Sequence, residues 1–337
     1  MTHGAAWPAH PKPLPNELLS SWIVRLAEAN GIKLQTLTHM MFGSGMSPWN
    51  RDIDRSAPPW LVKAISRHTD ANQWEVLHTT LVTYRARLYR KRQAVGQLRW
   101  ILPVRNYGTR HRAFGQQFCP ACLAGDPSPY FRKQWRLALF TYCPAHRIEL
   151  YDACPNCGRP VMHYRGDFGR ELRDALPMHV CPACGADFRG AARREAVFPS
   201  EEVKEIFDEM LLSLYRPAAE IGRFDLGFFA VLHQLCRVIG SRQNQGKLQR
   251  YLAEQVGIPT VPLPVRRLTF EQHRRDERHL WLLCALWLMI DLEPRLRGAW
   301  LAKAVRYNLM VKDFDRAPRW YCMAVEGFSD WRHPSLI

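Results

Sequence analysis

The cysteine residues carry the clearest chemistry in this sequence. Seven of the ten cysteines, with one histidine, fall between residues 119 and 184 as four pairs with a two-residue gap. The pairs are Cys119 and Cys122, Cys143 and His146, Cys154 and Cys157, and Cys181 and Cys184. Such a gap lets both members of a pair face one metal ion, and eight thiol or imidazole ligands satisfy two tetrahedral zinc ions. The sequence therefore predicts two zinc ions.

The way in which the four pairs combine is open from the sequence alone. Joining them in chain order gives one site of three cysteines and a histidine, then one site of four cysteines. An interleaved cross-brace, or a site made from the second and third pairs, is also compatible, and disulfides are a further alternative. We favour sequential pairing because it closes short, independent loops. Zinc is favoured over disulfides because no signal peptide directs the chain to an oxidising compartment.

The number of ligands indicates that the zinc ions would be structural. A catalytic zinc ion keeps one open coordination position, whereas four protein ligands close each shell. The third and fourth pairs also occur in the motif C-P-x-C-G, which places Gly158 and Gly185 after the pairs. A glycine there permits a left-handed turn that points backbone N–H groups at sulfur. This pattern is typical of zinc ribbons, which bind nucleic acid or protein.

The charge balance favours a polyanionic partner. The chain has 47 lysines and arginines against 31 acidic residues, a formal net charge of +16. No acidic residue occurs from His78 through Gly125, where arginines alternate with tyrosines and a tryptophan. Guanidinium groups grip phosphates and aromatic rings cover bases or sugars. The candidate nucleic-acid-binding residues are Arg85, Arg87, Arg90, Lys91, Arg92, Arg99, Arg105, Arg110 and Arg112.

Helical periodicity predicts a mainly α protein around the zinc-binding region. We expect an N-terminal helix-turn-helix-like bundle at 1–83, a basic segment at 84–118, a double zinc-binding region at 119–190 and a C-terminal helical domain at 191–337. Residues 297–328 could form a further helix-turn-helix segment. The predicted helices span residues 17–30, 34–42, 58–70, 71–82, 200–215, 224–240 and 269–290.

Several function classes find no support in the sequence. There is no Walker A motif, no nucleophile elbow, no dinucleotide-binding fingerprint and no assembled nuclease site, so we predict that the protein is not an enzyme. The longest apolar run, residues 280–290, has eleven residues, and a membrane-spanning helix needs about 20. We therefore expect no membrane association and a cytoplasmic location, where thiols stay reduced.

The N-terminal stretch PLPNELLSSWIVRLAEANG, residues 13–31, resembles the signature of the TniQ family, which includes the longer TnsD target selectors. The segments FCPACL, YCPAHRIEL and CPNCG…CPACG resemble the zinc region of that family, and residues 306–321 are similar to the C-terminal part of full-length members. The resemblance thus covers most of the chain. The signature residues matched here are Pro15, Glu17, Ser21, Trp22, Arg25, Leu26 and Ala27.

This resemblance implies a non-catalytic target-selection adaptor in bacterial DNA transposition. Such adaptors link a target-site reader to an AAA+ ATPase regulator of the transposase. The reader is an RNA-guided effector complex in CRISPR-associated transposons, on which some members dimerise head to tail, whereas TnsD-like members bind DNA directly. The resemblance also places zinc on the eight Cys and His residues named above. The alternatives are a sequence-specific DNA-binding regulator that uses its helix-turn-helix units directly and, less favoured, a zinc-supported nuclease.

Overall fold

The computed structural model divides into two compact units. The N-terminal unit comprises Met1–Arg85 and Arg90–Glu195, and the C-terminal unit comprises Ala86–Tyr89 and Ala196–Ile337. The helices predicted before the zinc-binding region therefore share one unit with that region. The structure describes residues 6–43, 48–90, 96–104, 113–216, 220, 222–312, 314 and 316–328.

The N-terminal unit combines short helices with one small antiparallel hairpin. Its strands are β1 (Tyr142–Cys143) and β2 (Ile148–Glu149), with Cys143 opposite Ile148. Helices α1 to α5 precede this hairpin and pack on one another, and α6 opens the zinc-binding region. The helices are α1 (Leu19–Ala29), α2 (Leu34–Phe42), α3 (Ile53–Ser56), α4 (Pro59–Thr69), α5 (Gln73–His78) and α6 (Pro120–Gly125).

Local signals explain where these helices begin and end. Pro59 occupies the first turn of α4, where its missing N–H is not needed. Asp70 ends α4 in the left-handed conformation at φ 57°. Asn72 and Glu75 then form a capping box at the start of α5. The resulting connection between α4 and α5 is three residues long, as in the predicted helix-turn-helix arrangement.

A buried polar network joins α1 to α3 and to the segment before β1. The Ser20 hydroxyl donates to Asp54 at 2.9 Å, and the backbone N–H of Ser20 donates to the same carboxylate at 2.8 Å. The fully buried Arg136 guanidinium pairs with Asp54 at 3.2 Å and with Asp52 at 2.5 Å. Because a buried charge is costly unless it is paired, this network specifies how the three segments meet.

The C-terminal unit is a bundle of helices around α10. Helix α10 packs against α7, α8, α9 and α11, and its Trp281 side chain lies against Gly240, where an added Cβ would approach the ring to 2.9 Å. The mainly α fold class predicted from the sequence is confirmed. The helices are α7 (Glu201–Ser213), α8 (Leu226–Ile239), α9 (Lys247–Val256), α10 (Arg275–Ile290), α11 (Leu292–Leu301), α12 (Tyr307–Val311) and α13 (Arg319–Glu326). None of the helices in the described part of the chain is long and apolar enough to cross a bilayer.

Some predicted helix boundaries were wrong for identifiable reasons. The segment 269–290 is not one helix: Thr269 caps a 3-10 turn at Phe270–Gln272, the chain then extends, and α10 begins only at Arg275. The helix predicted over 71–82 is shorter, from Gln73 to His78. Thr80 then caps a separate 3-10 turn at Leu81–Tyr84, where its hydroxyl accepts the N–H of Val82 at 3.3 Å. Helices α3, α6 and α9 were not predicted at all.

Candidate metal centres

The first cluster brings together Cys119, Cys122, Cys143 and His146 from α6 and the β1–β2 hairpin. The Nδ1 atom of His146 lies 3.6 Å from the sulfur of Cys119, 3.3 Å from that of Cys122 and 3.5 Å from that of Cys143. The sulfurs of Cys122 and Cys143 are 3.7 Å apart. Imidazole Nδ1 is thus the fourth donor atom beside three thiols.

The second cluster brings together Cys154, Cys157, Cys181 and Cys184. The sulfurs of Cys154 and Cys184 are 3.7 Å apart, and those of Cys157 and Cys181 are 3.8 Å apart. The four pairs therefore combine in chain order in the structure, in the arrangement favoured from the sequence. Neither the cross-brace nor a site from the second and third pairs is formed.

The distances in both clusters suit a tetrahedral metal ion. In a tetrahedral site with metal–sulfur bonds of about 2.3 Å, neighbouring sulfur atoms are about 3.8 Å apart. A metal–nitrogen bond is shorter, so the distances from the nitrogen atom to the sulfur atoms are slightly shorter as well. A disulfide would instead place two sulfurs about 2.05 Å apart, and all ten cysteines are free thiols. Soft thiolate with imidazole is a donor set that zinc prefers. Both clusters can therefore hold a metal ion, and their chemistry is consistent with zinc.

The same backbone turn builds each half-site. The N–H of the residue that follows each pair donates to the carbonyl of the first cysteine: Leu123 at 3.1 Å, Arg147 at 2.7 Å, and Gly158 and Gly185 at 2.9 Å. Gly158 and Gly185 adopt the left-handed conformation, with φ of 67° and 75°, as predicted from the C-P-x-C-G motif. Arg147 adopts it without being glycine, at φ 56°. In the first pair the turn continues into α6, with Cys119 as the N-cap residue.

Hydrogen bonds among neighbouring groups set the ionisation of the thiols. Bonds from Cys119 and Cys122 lower the pKa of Cys143 to about 2. In the same cluster, bonding to the Cys119 thiol raises the pKa of Cys122. In the second cluster, a bond from the Asn156 side chain lowers the pKa of Cys184 to about 6. Each cluster thus favours at least one thiolate, the form that binds metals, and a divalent cation would displace the remaining protons.

Packing differs between the two clusters. In the first, all three cysteines are buried and His146 is exposed, whereas in the second, Cys157 and Cys184 are exposed. An aromatic contact links the two clusters. Phe118 precedes Cys119 of the first cluster, Phe188 follows Cys184 of the second, and their rings are stacked with centroids 4.5 Å apart. The first cluster is therefore part of the core of the N-terminal unit, and the second lies nearer its surface.

The predicted nucleic-acid-binding residues do not share one environment. Arg85 and Arg90 are exposed and Arg99 is partly exposed. Arg87 is buried, and its guanidinium donates to the carbonyl of Arg216 at 2.9 Å within the C-terminal unit. This burial departs from the exposed surface expected of a phosphate-binding residue. The other predicted residues lie outside the described residues: Lys91, Arg92, Arg105, Arg110 and Arg112.

Comparison with known proteins connects the first cluster to a family. The TniQ family model matches residues 8–150. These residues form a TniQ domain. The match contains the whole first cluster and ends before Cys154, so it confirms the resemblance for residues 8–150. The resemblance of the second cluster and of residues 306–321 stays a prediction. No curated protein matches the chain. A TniQ domain implies a transposition-related role in target selection.

The signature residues of the TniQ domain serve its core. The buried Glu17 carboxylate accepts from the Ser21 hydroxyl at 3.0 Å and pairs with Arg25 at 2.7 Å. Ser21 in turn accepts from the N–H of Phe131 at 2.9 Å, and the indole of Trp22 donates to the carbonyl of Pro11 at 2.7 Å. These contacts attach α1 to the preceding segment at Pro11 and to the distant segment at Phe131. The polar residues of the signature therefore contribute to the packing of the domain core.

Sequence reasoning missed one group of polar residues beside a cavity of the N-terminal unit. Glu28, His163 and Asp167 line this cavity together with apolar side chains. Glu28 ends an ordinary amphipathic helix, and the other two lie in the loop between the third and fourth pairs. No spacing rule connects residues 28 and 163, so the sequence contains no signal that could have grouped them.

Proposed function

We propose that this protein is a non-catalytic target-selection adaptor in DNA transposition. It links a target-site reader, either an RNA-guided effector complex or DNA itself, to the AAA+ ATPase that regulates the transposase. The match of the TniQ domain to residues 8–150 is the observation that carries this proposal. The adaptor acts in the cytoplasm, and two structural zinc ions hold the N-terminal unit in shape.

The ligand sets support a structural role for the metal ions. Each cluster offers four donor atoms that all lie within 4.8 Å of one another. Four protein ligands complete a tetrahedral shell and leave no position for a substrate or an activated water molecule. The metal ions would therefore stabilise the loops that hold them.

A second group of residues also supports the absence of catalysis. Ser20, His163 and Asp54 are types that form a hydrolase triad, and the Ser20 hydroxyl lies 3.0 Å from Nε2 of His163. However, the hydroxyl donates to Asp54 at 2.9 Å, so the imidazole is the donor toward serine. A triad requires the opposite direction, with histidine as the acceptor of the serine proton. We interpret this group as a core network.

The net charge of +16 favours one alternative, a protein that reads a DNA site directly. In that case α4 and α5 would form a helix-turn-helix reader. The second helix of this reader would be α5, which has only six residues and carries the exposed side chain of Trp74. Direct reading predicts tight, sequence-dependent binding to one duplex without any partner protein.

Co-purification with candidate partners separates the two functions. The tagged full chain is expressed with an RNA-guided effector complex and the AAA+ ATPase, and duplex binding is measured at several salt concentrations. An adaptor is retained with both partners and binds duplex DNA weakly, with a steep salt dependence and little sequence preference. Sequence-selective duplex binding with no retention of the ATPase would overturn the adaptor proposal. Charge reversal at Arg90 should weaken generic DNA binding, and reversal of the buried Arg87 should instead impair folding.

A further inference from the structure

Five exposed cations occur in two short segments of the C-terminal unit. The chain from residue 226 to residue 270 has six lysines and arginines and one acidic residue, Glu254. In the part of the chain that the structure describes, none of the five exposed cations forms an ion pair with an acidic side chain. We call them the basic surface, and they are Arg242, Lys247, Arg250, Arg266 and Arg267.

Two contacts bring the two segments together. The Arg242 guanidinium donates to the carbonyl of Val265 at 2.6 Å, which places it beside the arginines that follow Val265. Leu263 lies against Gly246, where an added Cβ would approach the leucine side chain to 3.1 Å. Helix α9 begins directly after this glycine, at Lys247. The first turn of α9 and the segment around Val265 therefore form one surface.

The chain that leads to the last two arginines is held in an extended conformation. Three prolines fix their own φ angles and keep the residue before each of them out of the helical region: Pro259, Pro262 and Pro264. The Gln249 side chain donates to the carbonyl of Val261 at 2.6 Å and accepts from the indole of Trp281 at 2.5 Å. Since Trp281 is buried in α10, the segment is fixed to the helical core. Less conformational entropy is therefore lost when a ligand binds to the arginines.

The residue types on the basic surface favour phosphate groups as the ligand. Four of the five cations are arginines, whose planar guanidinium binds a phosphate through two parallel hydrogen bonds. Protein–protein interfaces have an apolar centre that is depleted in charged residues, whereas interfaces with nucleic acid are strongly positive. The exposed large apolar side chains in these two segments are Leu263 and Val265, too few for an apolar centre. The surface therefore fits a nucleic acid better than an acidic protein.

We propose that the basic surface binds the phosphodiester backbone of a nucleic acid. Contacts to phosphates position a nucleic acid and carry no sequence information directly, so binding here is independent of base sequence. The surface lies outside residues 85–112, where the sequence predicted nucleic-acid contacts, and outside the TniQ domain at residues 8–150. The inference deepens the proposed function and rests on it for the source of the nucleic acid, which is target DNA or the guide RNA of a reader.

Fluorescence anisotropy of labelled nucleic acid measures this binding on the full chain at several salt concentrations. The probes are a short duplex of mixed sequence, oligothymidine and oligouridine, which distinguish duplex DNA, single-stranded DNA and RNA as the source. Two double variants remove charge from the two segments: Arg266→Gln with Arg267→Gln, and Lys247→Gln with Arg250→Gln. Each should weaken the best-bound probe by at least about tenfold at low salt. Each should also reduce the slope of log K against log salt concentration by about one to two.

A third double variant separates local contacts from the loss of net charge. Arg316→Gln with Arg319→Gln removes the same charge from two exposed arginines of the same unit. In the sequence, the segment around them also contains three acidic residues, so it has no excess of positive charge: Asp313, Asp315 and Glu326. This control should change the affinity by less than about twofold, because salt screens distant charges. Circular dichroism checks the fold of all three variants, and if one basic-surface variant fails to fold, the other still decides.

Three results would each overturn the proposal. The first is the absence of binding to all three probes at low salt. The second is unchanged affinity in a folded variant of the basic surface, or an equal loss of affinity in the control. The third is tighter binding of polyglutamate than of the best-bound nucleic acid, since the ligand would then be an acidic protein. If instead DNA or RNA binding depends on the basic surface but the ATPase is not retained in co-purification, only the proposed adaptor function is contradicted.

Discussion

At the scale of single residues, the backbone conformation after each cysteine pair distinguishes the two clusters. Gly158 and Gly185 follow the third and fourth pairs at positive φ, and Arg147 follows the second pair in the same conformation. A residue with a Cβ atom pays roughly 1–2 kcal/mol for the left-handed region. The first cluster tolerates this cost at Arg147, where the hairpin fixes the turn.

Substitution of Gly185 tests whether its conformation matters for the second cluster. Gly185→Ala should lower the free energy of unfolding by about 1 kcal/mol, because alanine disfavours φ near 75° although its Cβ would meet no other atom. Gly190→Ala is the matched control, since Gly190 also has open space and its φ is not positive. Urea denaturation measures both variants. Equal losses in the two would show that conformation is not the cause.

The buried His163 makes stability depend on pH. Burial, with the charge of Arg136, lowers its pKa from 6.5 to about 3, so the unfolded chain binds a proton that the folded chain does not. The stability that depends on the neutral ring is complete above pH 6.5 and is lost as the pH falls toward 3. Between pH 7.5 and 5.5 this loss is about 1 kcal/mol. Asp54, whose pKa burial raises to about 6, acts in the opposite direction.

The variant His163→Gln isolates this contribution. Glutamine places an amide near the position of Nε2 and can still bond to Ser20, but it does not titrate. We expect the variant to have a lower free energy of unfolding than the wild type at pH 7.5. Between pH 7.5 and 5.5 the free energy of unfolding of the variant should fall by about 1 kcal/mol less than that of the wild type. All other titrating groups are the same in both proteins, so this difference comes from His163. Urea denaturation at both pH values gives the comparison. A difference between the proteins that does not change with pH would contradict the assignment.

At the scale of elements, burial predicts that the two clusters contribute unequally to stability. Cys122 lies in α6 with its thiol buried, whereas Cys184 is exposed. Cys122→Ser should lower the free energy of unfolding by at least about 2–3 kcal/mol and remove one metal equivalent, and Cys184→Ser should cost less. Cys322→Ser is the control, an exposed cysteine outside both clusters that should change stability by less than about 0.5 kcal/mol. Equal effects of all three would refute the role of the clusters.

The range of an interaction decides which elements the sequence could predict. The cysteine pairs and the glycines after them were predicted because each signal spans at most five residues. Hydrophobic periodicity predicted the ends of α1 and α8 to within about two residues. The extended residues just before α10 carry no strong sequence signal for a break, so the start of α10 was placed too early. The network of Ser20, Asp54 and Arg136 could not be predicted, because its members are 34 and 82 residues apart and only the folded chain pairs them.

At the scale of the whole molecule, the distribution of metal ligands between the units is uneven. Both clusters belong to the N-terminal unit, together with α1 to α6. The C-terminal unit has its own core around α10, which includes the buried residues Trp281, Leu282 and Leu286. Metal removal should therefore act on one unit, since binding free energy at a structural site is folding free energy for the region that holds the ion.

Hydrogen exchange followed by mass spectrometry can measure this difference on the full chain. A chelator should increase exchange first in peptides that cover residues 119–151 and 154–188, and then in α1, because the segment after Cys122 is bonded to α1 through Phe131 and Ser21. Peptides from α8 and α10 should keep their protection, and added zinc should restore the rest. An equal rise in both units would mean that the C-terminal core depends on the metal ions. No rise in either would mean that the thiol clusters hold their shape without them.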